Sequence, residues 1–140
     1  MKRVGLIIAV LALLVACAPQ PRVEGTPVEI VQRYYAAWAQ QDYRQMYALV
    51  SDGWKVLEPT AHTEKDFAAY VDGFYTKAKG IRLTFASEQS NTGNEATISV
   101  ALEVETLDGT FLNTNQSLTL RLKDTGWKLI HPYGEYKDLS

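Results

Sequence analysis

At Ile81 the hydrophobic period of the chain changes from about 3.6 residues to about 2, which divides it into a helical half and a sheet half. Before the switch, Val28, Val31, Tyr34, Tyr35 and Trp38 fall on one helical face. After it, Ile81, Leu83 and Phe85 alternate with Arg82 and Thr84. A chain divided in this way has an apolar helix layer and a one-sided sheet to bury against each other, which predicts an α+β domain. Its 140 residues suffice for one such domain.

The helical half carries its own boundaries. Thr26-Pro27-Val28-Glu29 supplies an N-cap hydroxyl, a proline at the first helical position and the glutamate of a capping box. Glu29 and Arg33 stand four apart, within pairing reach on the other face. Asp42 heads a second, shorter helix with Tyr43, Met46, Tyr47 and Val50 as its stripe and Gly53 as its stop. A third helix is predicted from Thr63 to about Lys79, its core face Phe67, Tyr70, Val71, Phe74 and Ala78.

The sheet half reads as a meander of four strands. Asn91-Thr92-Gly93-Asn94, Asp108-Gly109 and Asp124-Thr125-Gly126 mark its turns. Parity sets the register, since a slip of one residue sends every side chain to the wrong face. A two-residue Asp108-Gly109 loop would turn Leu118 and Leu120 to solvent. A three-residue loop, Leu107-Asp108-Gly109, instead pairs Val104 with Leu112, Leu102 with Thr114, Val100 with Gln116 and Ile98 with Leu118. All the leucines of that strand then face the helices. The same count pairs Leu122 with Trp127, Leu120 with Leu129, Leu118 with His131 and Gln116 with Tyr133.

The N-terminal segment is of a different kind. Lys2 and Arg3 precede an apolar run from Val4 to Ala16 that is too short to span a bilayer and reads as a secretory signal. The run ends Leu14-Val15-Ala16-Cys17, which resembles the bacterial lipoprotein signal, whose cysteine is lipidated and becomes the mature N-terminus. The resemblance implies a signal peptide over residues 1–16, a lipidated Cys17 and flexible tether over 17–26, and a folded domain over 27–140. It places that domain on a bacterial cell membrane or outer membrane, facing the periplasm or the cell exterior. Each buried acyl methylene contributes about 0.8 kcal/mol, so two or three chains suffice to hold it there. Removal of residues 1–16 leaves 124 residues, and the loss of Lys2 and Arg3 takes the net charge from −2 to −4.

Two further stretches carry a family resemblance. Tyr34-Tyr35-Ala36-Ala37-Trp38-Ala39-Gln40-Gln41-Asp42-Tyr43 and Gly126-Trp127-Lys128-Leu129 resemble the opening helix and the closing strand of the nuclear transport factor 2-like (NTF2-like) superfamily. Phe67-Ala68-Ala69-Tyr70, then Phe74-Tyr75 and Gly80-Ile81, is similar to the membrane-tethered domain preceding the transpeptidase module of some penicillin-binding proteins. The resemblance implies a cone-shaped fold, three N-terminal helices packed on a curved antiparallel four-stranded sheet. That superfamily holds small acid–base enzymes and non-catalytic binding domains, so function must be argued from the site.

A ligand pocket in the cone would be lined by Tyr35, Trp38, Tyr47, Tyr70 and Phe74 from the helices and by Thr114, Gln116 and His131 from the sheet. His131 and Tyr133 are the catalytic candidates, because an imidazole there exchanges protons near neutral pH. His62 reads as a solvated flank of the third helix, and Asp42 as an N-cap. The two histidines lack metal-ligand spacing and the lone cysteine forms no thiolate pair, so no metal is expected. No nucleophile elbow, phosphate-binding glycine loop or dinucleotide fingerprint occurs, and no cofactor is expected. With 14 Lys and Arg against 16 Asp and Glu, the chain lacks the basic excess that nucleic acid demands.

The leading expectation is a membrane-anchored, non-catalytic domain that binds a small molecule, a cell-envelope component or a partner protein. The alternative is an isomerase-, dehydratase- or cyclase-like enzyme using His131. A third reading is a homodimer through the polar outer face of the sheet. Cys17→Ser is predicted to release the chain from the membrane fraction on expression in a bacterium, as read by immunoblot of fractionated cells; retention in the membrane would refute the anchor.

Overall fold

The computed structural model describes residues 22–130 and 138–139. Four helices, α1 (Pro27–Ala39), α2 (Tyr43–Leu49), α3 (Asp52–Leu57) and α4 (Glu64–Asp72), precede the strands β1 (Ala78–Asn91), β2 (Glu95–Thr106), β3 (Phe111–Lys123) and β4 (Gly126–Leu129). The strands form one antiparallel sheet in sequential order, and the helices cover part of one face. The α+β architecture read from the change of period is therefore the observed one.

At the start of α1, Thr26 Oγ1 accepts the Glu29 N–H and Glu29 Oε2 accepts the Thr26 N–H, so both bonds of the predicted capping box form. The helix buries Ile30, Val31, Tyr34, Tyr35 and Ala37. Asp42 caps α2 through Oδ1 to the Gln45 N–H. Arg33 donates to the Glu24 carbonyl at 2.6 Å.

The second predicted helix is two helices. Val50 and Ser51 are extended, Val50 bridging Leu129 and the Ser51 N–H donating to the Leu129 carbonyl, and this pairing ends α2 at Leu49. Gly53, expected as a stop, lies inside α3, where Leu139 approaches so closely that a Cβ would stand 2.5 Å from its carbonyl oxygen. The third predicted helix ends early, at Asp72, and a 3₁₀ turn over Gly73–Thr76 leads into β1. Strand pairing reaches back to Ala78, which is bonded into the ladder opposite Thr106.

The β2–β3 register is the one that the three-residue loop predicts: Val104 faces Leu112, Leu102 faces Thr114, Val100 faces Gln116 and Ile98 faces Leu118. Gly109 takes φ +87°, and the Asp108 carboxylate accepts from the Thr106 hydroxyl and the Thr110 N–H, bonds that hold its pKa down to about 2. Leu122 faces Trp127 and Leu120 faces Leu129, also as parity requires. The expected partners His131 and Tyr133 lie outside the described residues.

Two expectations about the sheet are corrected. Phe85 does not continue the inward row of Ile81 and Leu83: Leu83 faces Leu102 and Phe85 faces Ala101, so Thr84 is an extra residue, and Phe85 is 57% exposed. Nor are all the β3 leucines covered. Leu112 and Leu122 keep the helix-facing parity yet stay exposed, because the helices leave the two ends of β3 bare, and only Leu118 and Leu120 are buried.

Val23 and Asp138, near the two limits of the described residues, are tied to one side of the domain. The Val23 N–H donates to the Thr125 carbonyl, so the fold begins inside the segment expected to be tether. Gly126 permits this approach: its φ is +109°, and a Cβ there would lie 2.1 Å from the Val23 carbonyl oxygen. At the other end, the Asp138 carboxylate is fully covered and accepts from Ser51 Oγ at 2.6 Å, Lys123 Nζ at 2.8 Å and Arg121 at 3.1 Å. Burial alone would raise its pKa; the Lys123, Ser51 and Arg121 bonds and the Lys123 charge outweigh burial and lower it.

A carboxylate that holds its charge to lower pH in the folded than in the unfolded chain adds stability above the ordinary carboxylate range. That stability is lost as pH falls through the folded pKa. Asp138→Ala is thus expected to cost about 3 kcal/mol at neutral pH, the scale for stripping one partner from a covered ion pair. Urea unfolding should show the gap between variant and parent closing on acidification; a gap independent of pH would refute this account.

Candidate functional site

The cone interior predicted to hold a ligand is occupied by the protein's own side chains. Tyr34, Tyr35, Trp54 and Phe67 are at most 1% exposed, and Ile98, Val100 and Leu102 meet them from the sheet. Tyr35 stacks on Trp38 with ring centroids 5.9 Å apart and planes 9° apart, and Phe74 meets the indole edge-on at 5.2 Å. The Trp38 carbonyl accepts the Tyr75 hydroxyl at 2.6 Å, while the buried Trp38 Nε1–H has no acceptor among the described residues.

The remaining predicted site residues are dispersed. Tyr47 is half-buried on the other side of α2, its hydroxyl donating to the Ala61 and His62 carbonyls and its ring packed on Phe67. Tyr70 is 48% exposed, because α4 turns Phe67 and Val71 inward four residues apart and Tyr70 lies to one side of that stripe. Thr114 and Gln116 occupy the expected face of β3 but are exposed beyond the helices. Tyr35, Trp38 and Phe74 are thus brought together, and Tyr47, Tyr70, Thr114 and Gln116 do not join them. His131 and Tyr133 lie outside the described residues. His62 is exposed, with Nε2 3.1 Å from the Val56 carbonyl.

An open concavity lies outside the cone, between α1 and the edge strand β1. It encloses about 530 Å³ and is lined by Gln32, Tyr35, Ala36 and Ala39 from the helix and by Arg82 to Ala86 from the strand. The two alanines leave room over the helix, and the Thr84 bulge turns Phe85 out of the core. Arg82 is held by Glu103 at 2.6 Å. Burial pushes the Tyr35 phenol well above the ordinary tyrosine value, so it stays protonated at neutral pH. The groove offers apolar contact with a few polar groups at its rim. The adjacent Phe85-Ala86 pair breaks the alternation of β1 and is the signal in the sequence that marks the shift.

Helices on one face of a curled antiparallel meander define the NTF2-like fold, and solved structures of that fold align with the chain. A SEC-C motif-containing protein from Rhodopseudomonas palustris aligns at TM-score 0.56 and 16% identity over 81% of this chain and 80% of its own. An NTF2-like protein of unknown function from Burkholderia pseudomallei aligns at 0.52 and 13%, over 72% and 86%. An unconfirmed dehydratase of the NTF2-like family from Streptomyces avermitilis gives 0.52 and 15%, also over 72% and 86%. At these identities the likeness is one of fold. No curated protein matches the chain by sequence. The model of the NTF2-like N-terminal transpeptidase domain, MecA_N, matches residues 26–132, and the chain belongs to that family.

The groove and the core should respond differently to truncation. Phe67→Ala is expected to cost about 3 to 5 kcal/mol through the cavity it leaves. Phe85→Ser should stay within about 0.5 kcal/mol, as an exposed side chain does. Urea midpoints compare the two; a Phe85→Ser loss as large as that of Phe67→Ala would place Phe85 in the core.

Proposed function

We propose that this chain is a lipid-anchored, non-catalytic binding domain of the bacterial envelope, and that the groove between α1 and β1 receives apolar side chains of a partner protein. The observation that carries the reading is where the free space lies. The interior, where an enzyme of this fold would hold its substrate, is filled by Tyr34, Tyr35, Trp38 and Phe67, whereas the open concavity is external and exposes Phe85.

The groove wall suits a protein partner. Ala36 and Ala39 present a low surface, Leu83 and Phe85 provide apolar contact, and Gln32 and Arg82 stand at the edges. Among the described residues β1 has one hydrogen-bonded neighbour in the sheet, and its register shifts at Lys79, Thr84 and Gln89 interrupt the ladder that an added strand would need. Side chains entering the groove therefore suit it better than a strand added to its edge. A lipid anchor at Cys17 would suit this reading, since Val23 is already bonded to the Thr125 carbonyl.

A photo-crosslinking residue at position 85 tests the proposal in the producing bacterium, with position 97 on the outward sheet face as control. An envelope-protein adduct is expected from position 85, weakened several-fold by Ala39→Arg. Equal labelling from both positions would refute the groove, and the adduct's mass separates a second copy from another protein.

A further inference from the structure

A second cavity, independent of the α1–β1 groove, lies where the chain enters the fold. It encloses about 430 Å³, and Val23, Arg44, Tyr47, Lys55, Glu64 and Lys128 are among its walls. Neighbouring clefts share Tyr47, Asp52, Lys55 and Lys128 with it.

Lys128 is its unusual member. It is 7% exposed, and its ammonium donates to the Ala48 carbonyl in the last turn of α2. Among the described residues no carboxylate lies within ion-pairing distance of Lys128 or of Arg44. Lys55 differs: Asp52 neutralises it at 2.8 Å, and its ammonium sits 4.1 Å over the Tyr47 ring. Burial lowers the Lys128 pKa, the Lys55 charge lowers it further, and Asp52 opposes them. A covered ammonium with no carboxylate at pairing distance among the described residues, on the wall of an open cavity, is the arrangement that an incoming anion relieves.

We propose that this cavity binds a compact oxyanion, a carboxylate or a phosphate ester, between Lys128 and Arg44, with Lys55 at its side. The guanidinium fork of Arg44 suits two oxygens of one anionic group, and Lys128 contributes a point charge from the floor. Lys55 borders the site with its charge balanced by Asp52 and its ammonium over the Tyr47 ring. Glu64 and Asp52 carry negative charge on the same walls, so the site takes one compact anionic group and rejects a polyanion.

The test titrates the full chain with inorganic phosphate and, separately, with acetate, at constant ionic strength set by chloride, reading binding by NMR chemical shifts. Saturable binding is expected, weakened about tenfold or more by Lys128→Met and several-fold by Arg44→Gln. Lys79→Met, the same charge change on β1 at the other edge of the sheet, should leave affinity unchanged. Arg44 is exposed, so its variant keeps the test valid if Lys128→Met fails to fold. A preference for phosphate or for acetate assigns the ligand class. Absence of saturable binding of either, or equal loss in all three variants, overturns the proposal and leaves the groove reading untouched.

Discussion

A strand can turn only alternate side chains towards a core, and the domain is arranged around the strand that keeps this rule best. Along β2, Ala96, Ile98, Val100 and Leu102 are buried on one face while Thr97, Ser99, Ala101 and Glu103 lie on the other. α1 presents Ile30, Val31, Tyr34 and Tyr35 to that apolar row, and α2 and α4 close the flank with Met46, Leu49, Phe67 and Val71. Burial of these large side chains contributes roughly 1.5 to 3 kcal/mol each, so the matching of the helix stripe to the β2 row organises the layer. The strands beside β2 follow its register, and β1 does so with three interruptions that bend it.

The two sheet edges are treated differently, which decides where the surface features fall. β4 is flanked by Val50 and Ser51, and Asp138 crosses from Ser51 to Arg121 and Lys123, so that side is tied by the chain's own segments. Val23 docks on the adjoining turn over Gly126. On the opposite side no described strand pairs with the outer edge of β1, which is irregular, and the groove runs along it. The entry of the chain, the Lys128 cavity and the Asp138 clasp therefore gather at one side of the fold, with the groove on the other.

The NTF2-like fold occurs in both binding proteins and small enzymes, so the fold by itself assigns no chemistry. Aromatic side chains fill the described interior, and burial keeps the Tyr35 phenol among them protonated at neutral pH. Free volume is displaced to the margins, where small residues on α1 and a re-aimed phenylalanine on β1 create it.

Much of this was legible in local residue order. The capping box at Thr26 and Glu29, the Asp42 cap and the three-residue loop at Gly109 depend on residues within a few positions of one another, and the β2–β3 register follows from parity alone. The site was much less legible. Tyr35, Trp38, Tyr47 and Tyr70 share aromatic character but end respectively as core, core edge, flank and surface, because the number of turns in each helix and its distance from the sheet decide which ring finds cover. Sequence by itself determined the layers, the strand order and the register, since short-range hydrogen bonds and a strict period encode them. Only the tertiary structure decided which inward-facing positions are covered, where the Thr84 bulge turns Phe85, and that Lys128 is buried beside Lys55, because these depend on contacts between segments far apart in the chain.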